Sequence, residues 1–309
     1  MSDPLVSVII PCFNVEGCIL RALSSLQTQS YNNLEIICVD DGSSDRSAEI
    51  IYQWKIEHPT MNLMLVTQKN SGAPSARNAG LSLARGLYLQ FLDADDELLP
   101  EKIKHQVYLA VRDDLDIVIG GYLIKDEEDR NLFKKTPYLQ DPFLALMRTR
   151  MGITSANLFS KSVLEKAGGW NENLKSSQEY DLMFRILKGG GKVGFTEELY
   201  TIRHNRPESI SAMNIRRNWD SYCNLRFEIL KFISENFSKP LDHDYLQAYF
   251  EAIYMYSKVD FKASYSWFNK LVWVNFRLSP SEIIPEMYCR LFNVFGFRIA
   301  QKILLVFGK

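Results

Sequence analysis

The segment Tyr88-Leu-Gln-Phe-Leu-Asp-Ala-Asp-Asp-Glu-Leu-Leu-Pro100 runs from an apolar stretch straight into four carboxylates, Asp93, Asp95, Asp96 and Glu97. The apolar part reads as a buried strand, and Pro100 as the approach to a new helix. Like charges gathered where a strand ends repel one another, and partial burial raises that cost unless a cation offsets it. Hard carboxylate oxygens suit Mg2+ or Mn2+, and Mg2+ is commonly held by one or two carboxylates together with substrate phosphates. The competing reading is a set of solvated turn carboxylates, with Asp96 or Glu97 opening the next helix, since a short D-x-D matches often by chance. What else the chain brings to this strand end decides between them.

Upstream, short β-rich runs alternate with helical periodicity, the pattern of a parallel α/β sheet. Val6 to Ile10 and Leu34 to Val39 read as strands, separated by an apolar helical stripe at Ile19, Leu20, Leu23 and Leu26. A helix through Ile50, Ile51 and Trp54 leads to a strand from Asn62 to Thr67, and a short helix ending at Arg85 precedes Tyr88. Right-handed crossovers lay such strands side by side with their carboxyl ends on one edge, where open α/β sheets bind ligands. The polar segments 40–45, 70–78 and 93–97 follow those ends, so they are expected to meet in one cleft.

After Pro100 a helix leads to a strand from Asp116 to Ile124 and a charged turn from Lys125 to Arg130. Farther on come a helix at 141–149, a β-like Thr154 to Phe159, a helix from Ser177 to Lys188 stopped by Gly189-Gly-Gly191, and a strand from Leu199 to His204. Beyond about residue 210 the pattern is helical and rich in aromatics. The expected divisions fall at 1–125, 126–210 and 211–309, the last a helical extension.

Lys and Arg number 36 against 37 Asp and Glu, so no global charge attracts a nucleic-acid backbone and none is expected as a partner. The five cysteines show no CxxC or Cys/His ligand spacing, which favours a reduced, cytoplasmic setting. Leu5 to Ile10 is stopped by Pro11 and has no basic leader, so it reads as a strand and not as a signal peptide. No run approaches the roughly 18 to 20 apolar residues that cross a bilayer.

Two further features converge on the acidic strand end. Arg77, near a helix start on the same edge, can meet a phosphate or position an aspartate, or form a surface salt bridge. Asp40 and Asp41 can accept hydrogen bonds from a base or ribose, or serve turn and cap chemistry; for Asp45 the cap is preferred. In order, Val6-Ser-Val-Ile-Ile-Pro-Cys-Phe-Asn14, Val39-Asp-Asp-Gly-Ser-Ser-Asp45, Ala76-Arg-Asn-Ala-Gly80 and Phe91-Leu-Asp-Ala-Asp-Asp96 resemble a family 2 inverting glycosyltransferase of the bacterial cell-surface polysaccharide type. The resemblance covers roughly residues 5–208 and implies that 1–125 is the nucleotide-sugar-binding half and 126–210 the acceptor and catalytic half. It implies an α/β GT-A fold, a Rossmann-like mostly parallel sheet flanked by helices, with the helical extension added at the C-terminus. It also implies a nucleotide-sugar site in which Pro11, Phe13 and Asp41 contact the base, Asp93 the ribose region and Asp95 the metal, Mn2+ or Mg2+, with Asp96 able to share that role.

Transfer to a sugar hydroxyl needs a base, because an alcohol is a poor nucleophile until its proton is removed. In Ser176-Ser-Gln-Glu-Tyr-Asp-Leu-Met-Phe-Arg-Ile186, Glu179 opens a helix on the same face as Leu182, Met183 and Ile186, and a helix N-terminus favours its ionised form. Asp181 is four residues before Arg185 and reads as an intrahelical ion pair or a substrate ligand. Many relatives carry Glu-Asp here; this chain has Gln178-Glu179, so the resemblance gives Glu179 the base role and leaves Gln178 as its neighbour at the substrate. His204 matches a histidine that ligates the metal in several members, with a similar spacing to Ser209-Ile-Ser211; Arg203 and Arg206 are weaker phosphate candidates.

The expected activity is metal-assisted single displacement from a nucleoside-diphosphate sugar, UDP being the family's commonest nucleotide, to a glycan or lipid-linked hydroxyl. The alternative is a catalytically silent nucleotide-sugar or glycan-binding module. A dinucleotide oxidoreductase is disfavoured because no G-x-G-x-x-G follows the first strand, and a nucleotidyltransferase is consistent with the acidic cluster alone. From Phe261 onward basic residues outnumber acidic ones among Trp267, Phe268, Trp273, Phe276, Phe292, Phe295 and Phe297. That tail reads as a packed helical extension or as an amphipathic membrane-surface segment at the inner face of the plasma membrane.

Overall fold

Both faces of strand β1 (Val6–Cys12) are covered, which is why it reads as an unbroken apolar run and not as an alternating one. The computed structural model describes residues 3–126, 128, 130–137, 140–204, 214–237, 242–271 and 276–307. The chain forms two compact units, Met1–Glu208 and Ser209–Lys309.

In the first unit β1 is followed by α1 (Ile19–Gln27), β2 (Leu34–Asp40), α2 (Ser47–Glu57), β3 (Leu63–Thr67), α3 (Ala73–Leu83) and β4 (Tyr88–Phe91). β2 and β4 flank β1 in parallel and β3 joins β2, so Cys12, Asp40 and Thr67 stand side by side at the strands' carboxyl ends. Helix α3 lies close on β1: a Cβ at Gly80 would overlap the Ile9 side chain. That close seat fixes Arg77, one turn earlier on the same helix.

The chain continues through β5 (Glu97–Leu98), α4 (Lys102–Arg112), β6 (Ile117–Lys125), β7 (Asn131–Lys135), α5 (Pro142–Met147), a 3-10 turn (Thr154–Ala156), β8 (Leu158–Ser160), α6 (Lys161–Lys166), α7 (Gln178–Lys188) and β9 (Val193–His204). The sheet order is β3-β2-β1-β4-β8-β6-β9-β5, with β7 on β6. β8 runs antiparallel to both β4 and β6, β9 runs parallel to β6, and β5 runs antiparallel to β9. The sheet is therefore a parallel half carrying the expected loops, extended by strands of mixed direction.

Several local expectations change. Glu97 does not open a helix: it pairs with Ile202 in the two-residue strand β5. Thr154–Phe159 divides into a 3-10 turn and a short strand, α6 was not anticipated, and β9 begins at Val193 instead of Leu199. All five cysteines are buried free thiols.

The second unit is built from α8 (Ile215–Asn236), α9 (His243–Ser257), α10 (Phe261–Asn269) and α11 (Glu286–Phe307), the last broken at Gly296 (φ 74°). Its interior is aromatic: Phe250 stacks on Phe276 at 4.8 Å and Phe268 on Phe297 at 4.9 Å. Asp220 accepts hydrogen bonds from the Tyr256 hydroxyl and the Trp267 indole, both at 3.0 Å, so the polar tips of two packed aromatics are satisfied by one carboxylate. Among the described residues no helix is long and apolar enough to cross a membrane.

Candidate active site

The loops at the carboxyl edge are tied to one another through side chains. Asp41, 2% exposed, accepts hydrogen bonds from the Gln68 side chain (2.7 Å) and from the backbone N–H groups of Ser71 (2.8 Å) and Gly72 (2.7 Å). It therefore clamps the turn that leads into α3, where Gly72 takes φ 93°. Asp40, also buried, accepts from the Ser43 N–H at 3.3 Å. Both carboxylates hold turns, the turn chemistry the sequence allowed. Beside them Asn14, at φ 52°, exchanges hydrogen bonds with Ser43 and Ser44, leaving Pro11 half-buried and the Phe13 ring 47% exposed at the rim. Asp45 accepts from the backbone N–H groups of Ser47 and Glu16, a turn role, while the N-cap position of α2 falls to Arg46.

The acidic segment after β4 is a turn closed by the Asp96 N–H on the Asp93 carbonyl at 2.9 Å. Arg77 places Nη2 2.7 Å from Asp93 Oδ1, lies over the Trp170 ring at 4.6 Å, and has Nη1 3.4 Å from the Gln178 side-chain oxygen. The structure thus joins the β4 end, α3 and the start of α7 through one guanidinium. Asp95, half-buried at the turn, gives its carbonyl to Arg21 Nη2 at 2.9 Å. Asp96 is 3% exposed and accepts from Ser155 Oγ at 2.6 Å. Burial, with Asp93 and Asp95 adding, pushes the Asp96 carboxyl well above its usual range, against the lowering pull of Ser155 and Arg203.

Glu179, in the first turn of α7, is half-buried, and its pKa is raised. Burial is the largest cause and the Asp93 charge adds, while its own backbone N–H, Arg77 and Arg203 oppose. Burial thus outweighs the helix terminus that the sequence suggested would keep it ionised. Asp181 holds Arg185 through two bonds of 2.9 and 2.8 Å, and Arg185 in turn reaches the carbonyl of Gly169 at 2.8 Å. The intrahelical ion pair is the outcome.

His204 does not join Asp95 and Asp96. Its Nε2 lies 2.5 Å from Glu97 Oε1, which also faces Arg21 at 3.4 Å. Among the described residues no three His, Cys, Asp or Glu side chains are gathered as a metal cluster. Glu97, set aside from the sequence as a helix-start residue, is what occupies the histidine. Arg203 carries more than its sequence signal suggested, since its charge acts on Asp96, Glu179 and the half-buried Tyr122. Arg206, Ser209–Ser211 and Trp273 lie outside the described residues. Ser155, Gln68 and Trp170 escaped the sequence reading altogether, because each acts through partners far along the chain.

Residues 7–168 match the model of the family described as Glycosyl transferase family 2. An uncharacterized glycosyltransferase of Haemophilus influenzae is 34% identical over 148 residues, 48% of this chain and 59% of that protein. One from Rickettsia prowazekii is 31% identical over 196 residues, 60% of this chain and 59% of that protein. The match thus spans 59% of the length of both relatives. Among solved structures, S. aureus TarS 1-349 in complex with UDP-GlcNAc superposes with TM-score 0.66 at 19% identity, covering 83% of this chain and 74% of that one. The mannosyltransferase PcManGT from Pyrobaculum calidifontis, in complex with GDP-Man and Mn2+, gives TM-score 0.60 at 17% identity, covering 100% of this chain and 89% of that one. These likenesses show the fold, which is GT-A.

Proposed function

The chain belongs to glycosyl transferase family 2, and from that premise we propose that it moves a sugar from a UDP-sugar to a hydroxyl of a glycan or lipid-linked acceptor, inverting the anomeric configuration. One observation carries the reading: a half-buried carboxylate of raised pKa, Glu179, shares an electrostatic cluster with Arg77 and Asp93 at the carboxyl end of β4. A general base works best with a pKa drawn toward the operating pH. Glu179 takes the acceptor proton as the acceptor oxygen bonds to the anomeric carbon. The bond from that carbon to the diphosphate oxygen breaks in the same displacement, and the nucleoside diphosphate leaves with the electron pair. Phe13 and Pro11 flank the base and Asp41 rigidifies its wall; Asp93, held by Arg77, faces the ribose side, and Gln178 borders the donor sugar.

The donor set fits a divalent cation of the Mg2+ or Mn2+ type. Crowded carboxylates on one turn match a metal held by one or two carboxylates and completed by substrate phosphates. Asp95 would hold it, with Asp96 behind it buried on Ser155. His204, engaged by Glu97, would have to exchange that partner to assist. The cation would supply charge stabilisation to the departing diphosphate. The structure of PcManGT with GDP-Man and Mn2+ and that of TarS with UDP-GlcNAc support this donor class.

For its setting we propose the cytoplasm, at the inner face of the plasma membrane. The support is α11, whose exposed residues include Met287, Val294, Phe295 and Ile299 together with Arg290, Arg298 and Lys302. Apolar and basic side chains on one exposed helix suit an anionic headgroup layer.

The activity is tested by incubating the full chain with UDP-sugars, Mn2+ and glycan acceptors while measuring UDP release. Acceptor-dependent release is expected from the wild type and its loss from Glu179→Gln. Donor binding without any release across the panel would leave the protein a binding module.

A further inference from the structure

The turn that carries Asp93, Asp95 and Asp96 is not held by its own residues alone. Ser155, 0% exposed on the 3-10 turn, donates from Oγ to Asp96 Oδ2 at 2.6 Å and accepts from the Asp93 N–H at 3.0 Å. One hydroxyl therefore touches the first and the last residue of a four-residue turn that the Asp96 N–H closes on the Asp93 carbonyl. A hydroxyl has one proton to give and lone pairs to accept with, and both capacities are used. Ser155 is itself anchored: its carbonyl accepts from the Gln90 side chain at 2.8 Å, and Gln90 is a fully buried residue of β4. On the other side of the turn Arg21 fixes the Asp95 carbonyl at 2.9 Å. With both ends stapled and the backbone of its third residue held, the turn presents the Asp95 side chain from a fixed frame.

We propose that Ser155 is a positioning residue that sets the acidic turn for the metal diphosphate of the donor. The proposal rests on the reading of Asp95 as the metal carboxylate. Ser155 reaches no substrate in it; it acts through Asp93 and Asp96. A site held to within about half an ångström depends on locked supporting groups as well as on its ligands. Supporting groups behind metal ligands typically change affinity 10- to 100-fold when removed. The Ser155 hydroxyl acts on the donor through the geometry of this turn, so its loss should appear in metal-dependent binding before it appears anywhere else.

The experiment measures UDP binding by calorimetry at a series of Mn2+ concentrations, with metal-free melting temperatures in parallel, for the full chain and for Ser155→Ala and Ser155→Cys. The cysteine leaves no cavity and is a much weaker donor, so it offers a second variant should the alanine variant fail to fold. The expected result is a roughly tenfold or greater rise in the Mn2+ concentration that half-saturates UDP binding in the folded variants, with metal-free UDP binding unchanged. A variant that melts lower yet shows the wild-type Mn2+ dependence makes Ser155 merely structural and overturns the proposal alone. A wild type that binds UDP equally with and without Mn2+ overturns the metal reading itself, and this inference with it.

Discussion

Arg77 Nη2 and Asp93 Oδ1 are 2.7 Å apart, and the guanidinium side chain is only 9% exposed while the carboxylate is 36% exposed. The buried partner is the cation, stacked over Trp170, and its second nitrogen faces Gln178. The pair joins the end of β4 to the helix that carries Glu179, which makes it a strut between the acidic turn and the start of α7.

The first prediction concerns that strut. Arg77→Lys keeps the charge but cannot fork between Asp93 and Gln178 or lie flat on an indole. Transfer should fall about 10- to 100-fold, in the range reported for lost positioning. Steady-state UDP release reads it, and a lysine variant with wild-type kcat and KM would show that the fork has no role.

Glu179→Gln separates chemistry from stability. The amide cannot take a proton, so transfer should drop by a factor of about 10² to 10⁴ while UDP binding persists. The pH dependence has a fixed sign. Burial raises the Glu179 pKa in the folded protein, so the folded state holds its proton at a pH where the unfolded chain has released it. The associated stability is present below the unfolded pKa and is lost as pH rises through the folded one. At neutral pH the ionised side chain therefore weighs against folding, and Glu179→Gln should unfold at equal or higher denaturant, by up to about 1 kcal/mol. On the acid side the wild-type rate should fall as the base protonates. A glutamine variant clearly less stable than wild type at pH 7 contradicts the desolvation argument.

Asp41 and Asp40 should behave unlike each other although they are adjacent and both buried. Asp41→Asn turns one accepting oxygen into a donor opposite backbone N–H groups of the 71–72 turn. Charge-assisted bonds contribute roughly 1.5–3 kcal/mol each, so a loss of about 2–4 kcal/mol is expected. Asp40→Asn disturbs one longer bond from Ser43 and should cost about 1 kcal/mol or less. Urea unfolding of the two variants makes the comparison, and equal midpoints would remove the clamp.

How far the sequence could be read follows from where each residue finds its partners. β1 to β4 were legible because each is an apolar, β-rich run that ends in turn chemistry, and their loops carry the ordered motifs. Glu97 was misread because Asp-Asp-Glu before Leu-Leu-Pro has the look of a helix start. Its strand partner Ile202 lies more than 100 positions away, beyond any local pattern. Ser155 gave no signal at all, since a lone serine among polar neighbours looks the same whether it is solvated or stapling residues 59 and 62 positions upstream. His204 was read as a metal or diphosphate ligand, but the sequence could not show that Glu97 would take its Nε2.

The last prediction addresses the second unit. On α11, Val294 is 72% exposed and Phe295 52%, and neither is covered by the aromatic interior that holds Phe292 and Phe297. Removing two such side chains from water at a bilayer surface favours binding by roughly 2 to 4 kcal/mol, and each nearby Arg or Lys adds about 1 kcal/mol on anionic lipid. Arg290 is already paired with Glu286 at 2.6 Å, so Arg298 and Lys302 should dominate the charge dependence. The full chain should therefore co-sediment with phosphatidylserine-containing vesicles, less so in high salt, and little with purely zwitterionic ones. Val294→Asp combined with Phe295→Asp places anions on that exposed surface without touching the interior, so binding should fall at least tenfold while the melting temperature holds. Equal recovery of wild type and double variant with anionic vesicles would mean that α11 exposes these residues for some purpose other than lipid, and the membrane setting would lose its support.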